Sequence, residues 1–153
     1  MLFRTHLVFS IAVYFLLIHF LNVPNKLFFL LFILLATLFV DIDSSQSKVG
    51  HRWYLRPFQW LTSHRGMVHS VFFGLVLSLL IAGLDNWAGF GFFVGYLSHL
   101  FLDFLTRSGV AFLWPLSGRK FGLWIRSGGI FEVILFVLFL LGDIVWLFRM
   151  FLS

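Results

Sequence analysis

Five apolar stretches take up most of this chain, and they leave very few folds open to it. They run at about Leu7 to Leu21, Leu27 to Val40, Met67 to Leu84, Trp87 to Leu105 and Ile130 to Leu152. A helix needs roughly 17–25 apolar residues to span the hydrocarbon core of a bilayer. The spacing therefore predicts an all-α, polytopic membrane bundle of about five transmembrane helices. The second stretch is short and must borrow Pro24 to Lys26 or sit in a thinned region. Only 11% of the 153 residues are charged, against about 25% in a soluble domain. The chain is too short for a second soluble domain, so residues 1–153 read as one membrane-embedded unit.

Orientation follows from the basic residues. Arg4 precedes the first stretch. Lys48, Arg52, Arg56 and Arg65 lie in the connection Ser44–Gly66, and Arg107, Arg119, Lys120 and Arg126 in the connection Thr106–Gly129. Lys26 and Arg149 fall on the other face. Positive residues stay on the cytoplasmic side, which predicts a cytoplasmic N-terminus and an external C-terminus in the inner membrane. The formal net charge of +5 is then an orientation signal that also suits anionic lipid headgroups, and no nucleic-acid partner is expected. Trp53, Tyr54, Trp60, Trp114 and Trp124 mix with these charges, as in segments lying at headgroup depth. The first stretch has no small-residue cleavage site after it and reads as a retained helix. The chain holds no cysteine, so thiolate metal sites and cysteine nucleophiles are excluded.

The polar exceptions carry the functional information. Burying such groups beside hydrocarbon costs several kcal/mol each, roughly, unless they are paired or bind an ion. His6 opens the first stretch, Asp41 and Asp43 close the second, His64 and His69 open the third, and His99 and Asp103 end the fourth. By the count of crossings all seven reach the cytoplasmic face. His99 and Asp103 are four apart and share one helical face. His64 and His69 are five apart, which places His64 before the helix and His69 inside it, with Gly66 turning the chain between them. Imidazole and carboxylate without thiolate suit zinc, manganese or iron. His6, Asp41, Asp43, His69, His99 and Asp103 are the expected ligands of one or two divalent ions. His64, Glu132 and Arg65 are expected to serve catalysis, with Glu132 as base and Arg65 or Arg126 facing a phosphate. Two metals a few ångströms apart could activate water and steady both oxygens of a phosphoester displacement.

Blander readings stand beside these. His19 and His51 lie away from the cluster and read as structural or solvated. Asp85 and Asp143 fall on the other face and read as solvated or interfacial. Glu132 could instead pair with Arg126.

The residues Val40-Asp41-Ile42-Asp43, His64-Arg65-Gly66-Met67-Val68-His69-Ser70, Gly95-Tyr96-Leu97-Ser98-His99-Leu100-Phe101-Leu102-Asp103, Gly109 and Trp114-Pro115-Leu116, in that order, resemble the YdjM-like family. The family is described as LexA-binding, inner-membrane-associated, metal-dependent hydrolases, related in style to zinc phospholipase C. The resemblance covers about residues 1–135. It implies a multi-helix membrane protein whose polar motif residues match His6, Asp41, Asp43, His64, His69, His99 and Asp103. Ser127-Gly128-Gly129 followed by Glu132 looks like a drifted form of its late Gly-Ser…Glu element.

The sequence thus predicts a membrane-embedded, metal-dependent hydrolase acting on a phosphoester of a lipid or lipid-linked substrate at the cytoplasmic face. The alternatives are a metal or proton transporter, disfavoured by the missing internal repeat, and a non-enzymatic scaffold with a structural metal.

Overall fold

A computed structural model describes residues 1–43 and 67–152, with Asp43 described in its backbone only. Among these residues the chain forms five α-helices and no strand. They are α1 (Phe3–Phe20), α2 (Lys26–Val40), α3 (Val71–Ala82), α4 (Asn86–Phe104) and α5 (Ile130–Leu152). Short 3-10 turns follow α2 at Asp41–Asp43 and precede α3 at Met67–His69. Two helices, α1 and α5, are long and apolar enough to cross a membrane, while α2 and α3 are shorter apolar helices.

The helix starts are set by side-chain caps. Asn25 accepts from the Phe28 amide at 3.0 Å, Ser70 from Phe73 at 3.1 Å and Asp85 from Ala88 at 2.7 Å. Each satisfies an amide that the first helical turn leaves without a partner. The Ser70 cap delays α3 relative to the apolar pattern. The third stretch therefore begins as a 3-10 turn, and its helix is shorter than the apolar run that encodes it. His69 accordingly lies in that turn, ahead of the α-helix rather than inside it.

The middle of the structure is α4, packed between α2 and α3, with α1 beside α2 and α5 mainly against α1. Small residues bring α2 and α4 together. A Cβ on Gly95 would collide with the Ile33 carbonyl, and one on Gly91 would lie 2.9 Å from the Phe29 ring. This is the close main-chain approach that two glycines four apart permit between packed helices. Gly74 of α3 likewise leaves room for the ring of Tyr96 on α4. Phe29, Ile33, Ala36, Val40, Tyr96 and Leu100 are fully or almost fully buried along these seams.

The connection after α4 folds back beneath that helix. The amides of Leu123 and Ile125 donate to the carbonyls of Phe104 and Leu105 at 2.9 and 3.0 Å. These are acceptors that a helix C-terminus otherwise leaves without partners. Isolated bridges at Thr106 with Ile125 and Val110 with Phe121 hold the return. Leu116 and Trp124 are exposed on it beside the exposed cations Arg107, Arg119, Lys120 and Arg126.

A buried cluster of histidine and aspartate

The ends of four helices converge on one point. His6 comes from the first turns of α1, Asp41 from the turn closing α2, His69 from the turn opening α3, and His99 with Asp103 from the last turns of α4. His6, His69, His99 and Asp103 are buried, and Asp41 is partly so.

Asp103 stands at the centre. Its Oδ1 lies 3.5 Å from His6 Nε2, and its Oδ2 lies 3.4 Å from His69 Nε2 and 3.7 Å from His99 Nε2. Asp41 Oδ1 approaches the same His99 nitrogen to 3.7 Å. The α-ammonium of Met1 also donates to Asp103 Oδ1 at 2.9 Å. The rings of His69 and His99 meet edge to face, with centroids 5.6 Å apart.

The local fold holds each ring. His99 Nδ1 is 2.9 Å from the backbone carbonyl of Thr37. A carbonyl only accepts, so Nδ1 carries a proton and Nε2 is the nitrogen turned inward. The Thr37 hydroxyl donates to the Ile33 carbonyl at 2.9 Å and pairs with Ser10 of α1 at 2.8 Å, tying α1 to α2 at this level. The Tyr96 hydroxyl donates to the Val68 carbonyl and so pins the turn that carries His69.

Two features of this cluster ask for a cation. His99 Nε2 is buried and has no hydrogen-bond partner among the described residues, and the same holds for His6 Nδ1. The inward nitrogen of His99 thus faces carboxylate oxygens of Asp41 and Asp103 at 3.7 Å. Moreover, separations of 3.4–3.7 Å exceed the hydrogen-bond range of about 2.7–3.2 Å. They sit close to the edge of a tetrahedron built on metal–ligand bonds of 2.0–2.2 Å, roughly 3.3–3.6 Å. Donor atoms of His6, His99 and Asp103 all lie within 4.8 Å of one another, as do those of Asp41, His69 and His99. The two sets share His99.

Glu132 lies outside both sets. Its Oε1 accepts from the Leu2 amide and from the Thr5 hydroxyl at 2.8 Å, and its Oε2 accepts from the Gly128 amide at 2.6 Å. It is buried and clamps the start of α1 to the start of α5. Backbone partners leave no mark in a sequence. Arg126 is exposed. His64, Arg65 and His51 lie outside the described residues, as does the side chain of Asp43. Asp143, read from the sequence as solvated or interfacial, is instead buried at 8% exposure. The α1 surface that covers it was not encoded next to it.

A family model described as YdjM inner membrane protein matches residues 1–151. Inner membrane protein YdjM of Escherichia coli (strain K12) is 36% identical over 95 residues, which cover 56% of this chain and 48% of that protein. The Shigella flexneri protein of the same name matches to the same extent. Protein YvsG of Bacillus subtilis (strain 168) is 28% identical over 102 residues, covering 63% of this chain and 64% of its own length. The chain thus spans about half the length of the YdjM relatives it matches. No solved structure matches.

Proposed function

Because this chain belongs to the YdjM family of inner membrane proteins, we propose that it is a membrane-embedded, metal-dependent hydrolase. It cleaves a phosphoester of a lipid or lipid-linked substrate at the cytoplasmic face. The carrying observation is that ligand-type atoms of His6, His99 and Asp103, and of Asp41, His69 and His99, gather within 4.8 Å of one another in two sets that share His99.

His6, Asp41, His69, His99 and Asp103 hold one or two ions, with Asp43 as a further ligand. Imidazole and carboxylate donors favour zinc, with manganese or iron as the other candidates. A bound divalent ion supplies Lewis-acid activation of water and neutralises phosphate charge. The chain's own groups do the rest. Thr37 orients His99 through its carbonyl, as outer partners of metal-binding imidazoles do. Tyr96 fixes the His69 turn. His64, Arg65 and Glu132 complete the site, the first two from the segment between α2 and α3, with Arg65 or Arg126 facing the substrate phosphate. Among the described residues, Glu132 is the carboxylate nearest in sequence to the exposed cation Arg126. Its proposed role as base requires release from at least one of its present hydrogen bonds.

In this reading all five helices cross the membrane with the N-terminus cytoplasmic. That places the cluster at headgroup depth, where the polar part of a lipid already lies. The exposed basic and aromatic residues of the 106–129 connection support this placement, since such mixtures favour the interface.

The test is metal analysis of the purified protein, joined to assays on a panel of phospholipids and polyprenyl phosphates with and without chelator. Bound transition metal and chelator-sensitive hydrolysis are expected. Absence of metal from the native protein would overturn the reading. Metal without turnover of any phosphoester would leave a structural ion in its place.

A further inference from the structure

A second polar anomaly lies away from the cluster. Asp143 sits on α5, eleven residues beyond Glu132, which is about 16 Å along the helix axis. In a crossing helix that depth is close to the middle of a hydrocarbon core of roughly 30 Å. The residue is 8% exposed, and its Oδ1 is buried with no hydrogen-bond partner among the described residues.

Asp143 lines a cavity of about 270 Å³ in the seam between α1 and α5, with Phe9, Ala12 and Leu16 on one wall and Phe139 and Trp146 on the other. Apart from Asp143 the lining is almost wholly apolar. A carboxylate without a partner in such surroundings costs several kcal/mol, roughly, and an ionisable group inside a membrane marks a functional site unless it is paired. The walls indicate the partner. Phe9 and Phe139 meet edge to face at 4.8 Å, and the guanidinium of Arg149 already rests over the Trp146 ring at 5.9 Å. Aromatic rings that line one cavity with a carboxyl group are a setting in which an ammonium group is held by charge and by cation–π attraction together. The volume matches about nine water-sized groups, enough for an amine and a short length of alkyl chain. The rest of the chain would lie along the bare flank of α5.

From this we infer that the α1–α5 seam is a binding site for a lipophilic primary amine, with the ammonium on Asp143 and the apolar body between Phe9, Leu16 and Trp146. The site is separate from the His/Asp cluster and does not depend on its chemistry.

The experiment uses the full chain in nanodiscs and measures saturable binding of radiolabelled decylamine above its partitioning into empty discs. About one equivalent per chain is expected, unaffected by chelator. Asp143→Asn weakens it at least tenfold, and Asp143→Glu retains a measurable part. Decanol, with the same body and no charge, does not compete. Retention of the helical circular-dichroism spectrum and of a monodisperse profile by Asp143→Asn shows that the fold is kept. Should Asp143→Asn misfold, Asp143→Glu together with decanol competition decides the matter. The inference is overturned by a lack of saturable binding, by equal binding to Asp143→Asn, or by equal displacement with decanol. A shift of Asp143→Asn from dimer to monomer would also overturn it, since a second copy of the chain would then be the occupant.

Discussion

The rings of His6 and His99 lie face to face, with centroids 3.9 Å apart and 14° between their planes. The stack joins α1 to α4 at the level of the cluster, so His6 both packs and offers a nitrogen. The two roles separate by substitution. His6→Phe keeps a stacked ring and removes the donor, and it is expected to leave thermal stability in chelator near that of the chelator-treated native protein while lowering metal affinity at least tenfold. His6→Ala is expected to lose both. Melting curves and metal content of the two variants check this.

Asp103 receives His6, His69 and His99 within 3.4–3.7 Å, so its loss should be felt more widely than that of Asp41. Asp103→Ala is expected to abolish metal retention through purification, and Asp41→Ala to weaken it to a smaller extent. Competition with a chromogenic chelator gives both values.

Removing the ion should destabilise the fold. The five candidate ligands come from four helix ends, so an ion that binds only the folded form would stabilise it by about 2.7 kcal/mol when the free ion stands at 100 times its Kd. A lower melting temperature in chelator, restored by excess zinc and absent in His99→Ala, is the expected result.

The seam between α2 and α4 offers a sharp contrast between glycines. Gly95→Val drives a branched side chain into the Ile33 main chain and is expected to cost about 1–3 kcal/mol or prevent assembly. Gly118 has nothing within 4 Å of where a Cβ would stand, so Gly118→Ala should stay within about 0.5 kcal/mol of native. Unfolding in mixed micelles measures both.

Glu132 tests a proposed catalytic role against a bracing one. Glu132→Ala leaves the Leu2 and Gly128 amides and the Thr5 hydroxyl without their acceptor and is expected to cost about 2–4 kcal/mol. Glu132→Gln retains the acceptor for two of these and should recover much of that stability. If hydrolysis returns with the stability, Glu132 braces α1 against α5. If Glu132→Gln is stable and inactive, it acts on the proton.

The parts of this arrangement visible in the sequence are those that depend on chain-local geometry. His99 and Asp103 share a helical face by their spacing, and Asp41 and His69 stand where apolar runs end, so their approach to one level follows from counting runs. Five helices follow from the same count, because apolar length is a local property. What escaped depends on partners distant in the chain. Ser70 caps α3 and leaves His69 in a 3-10 turn, which a hydropathy pattern cannot register. Asp143 sits among residues that look external until α1 covers them. Glu132 is bound by two main-chain amides, and any sequence supplies amides.

The glycine contact between α2 and α4 has a consequence for which ion the cluster tolerates. Asp41 ends one of these helices and His99 rides on the other, and at Gly95 the two main chains touch. The spacing between the helices that carry Asp41 and His99 is thus set by backbone contact at Gly95. A larger cation asking for longer bonds would have to wedge two helices apart, whereas a smaller one would leave a ligand out of reach. Discrimination by ionic radius would then be a property of the bundle itself.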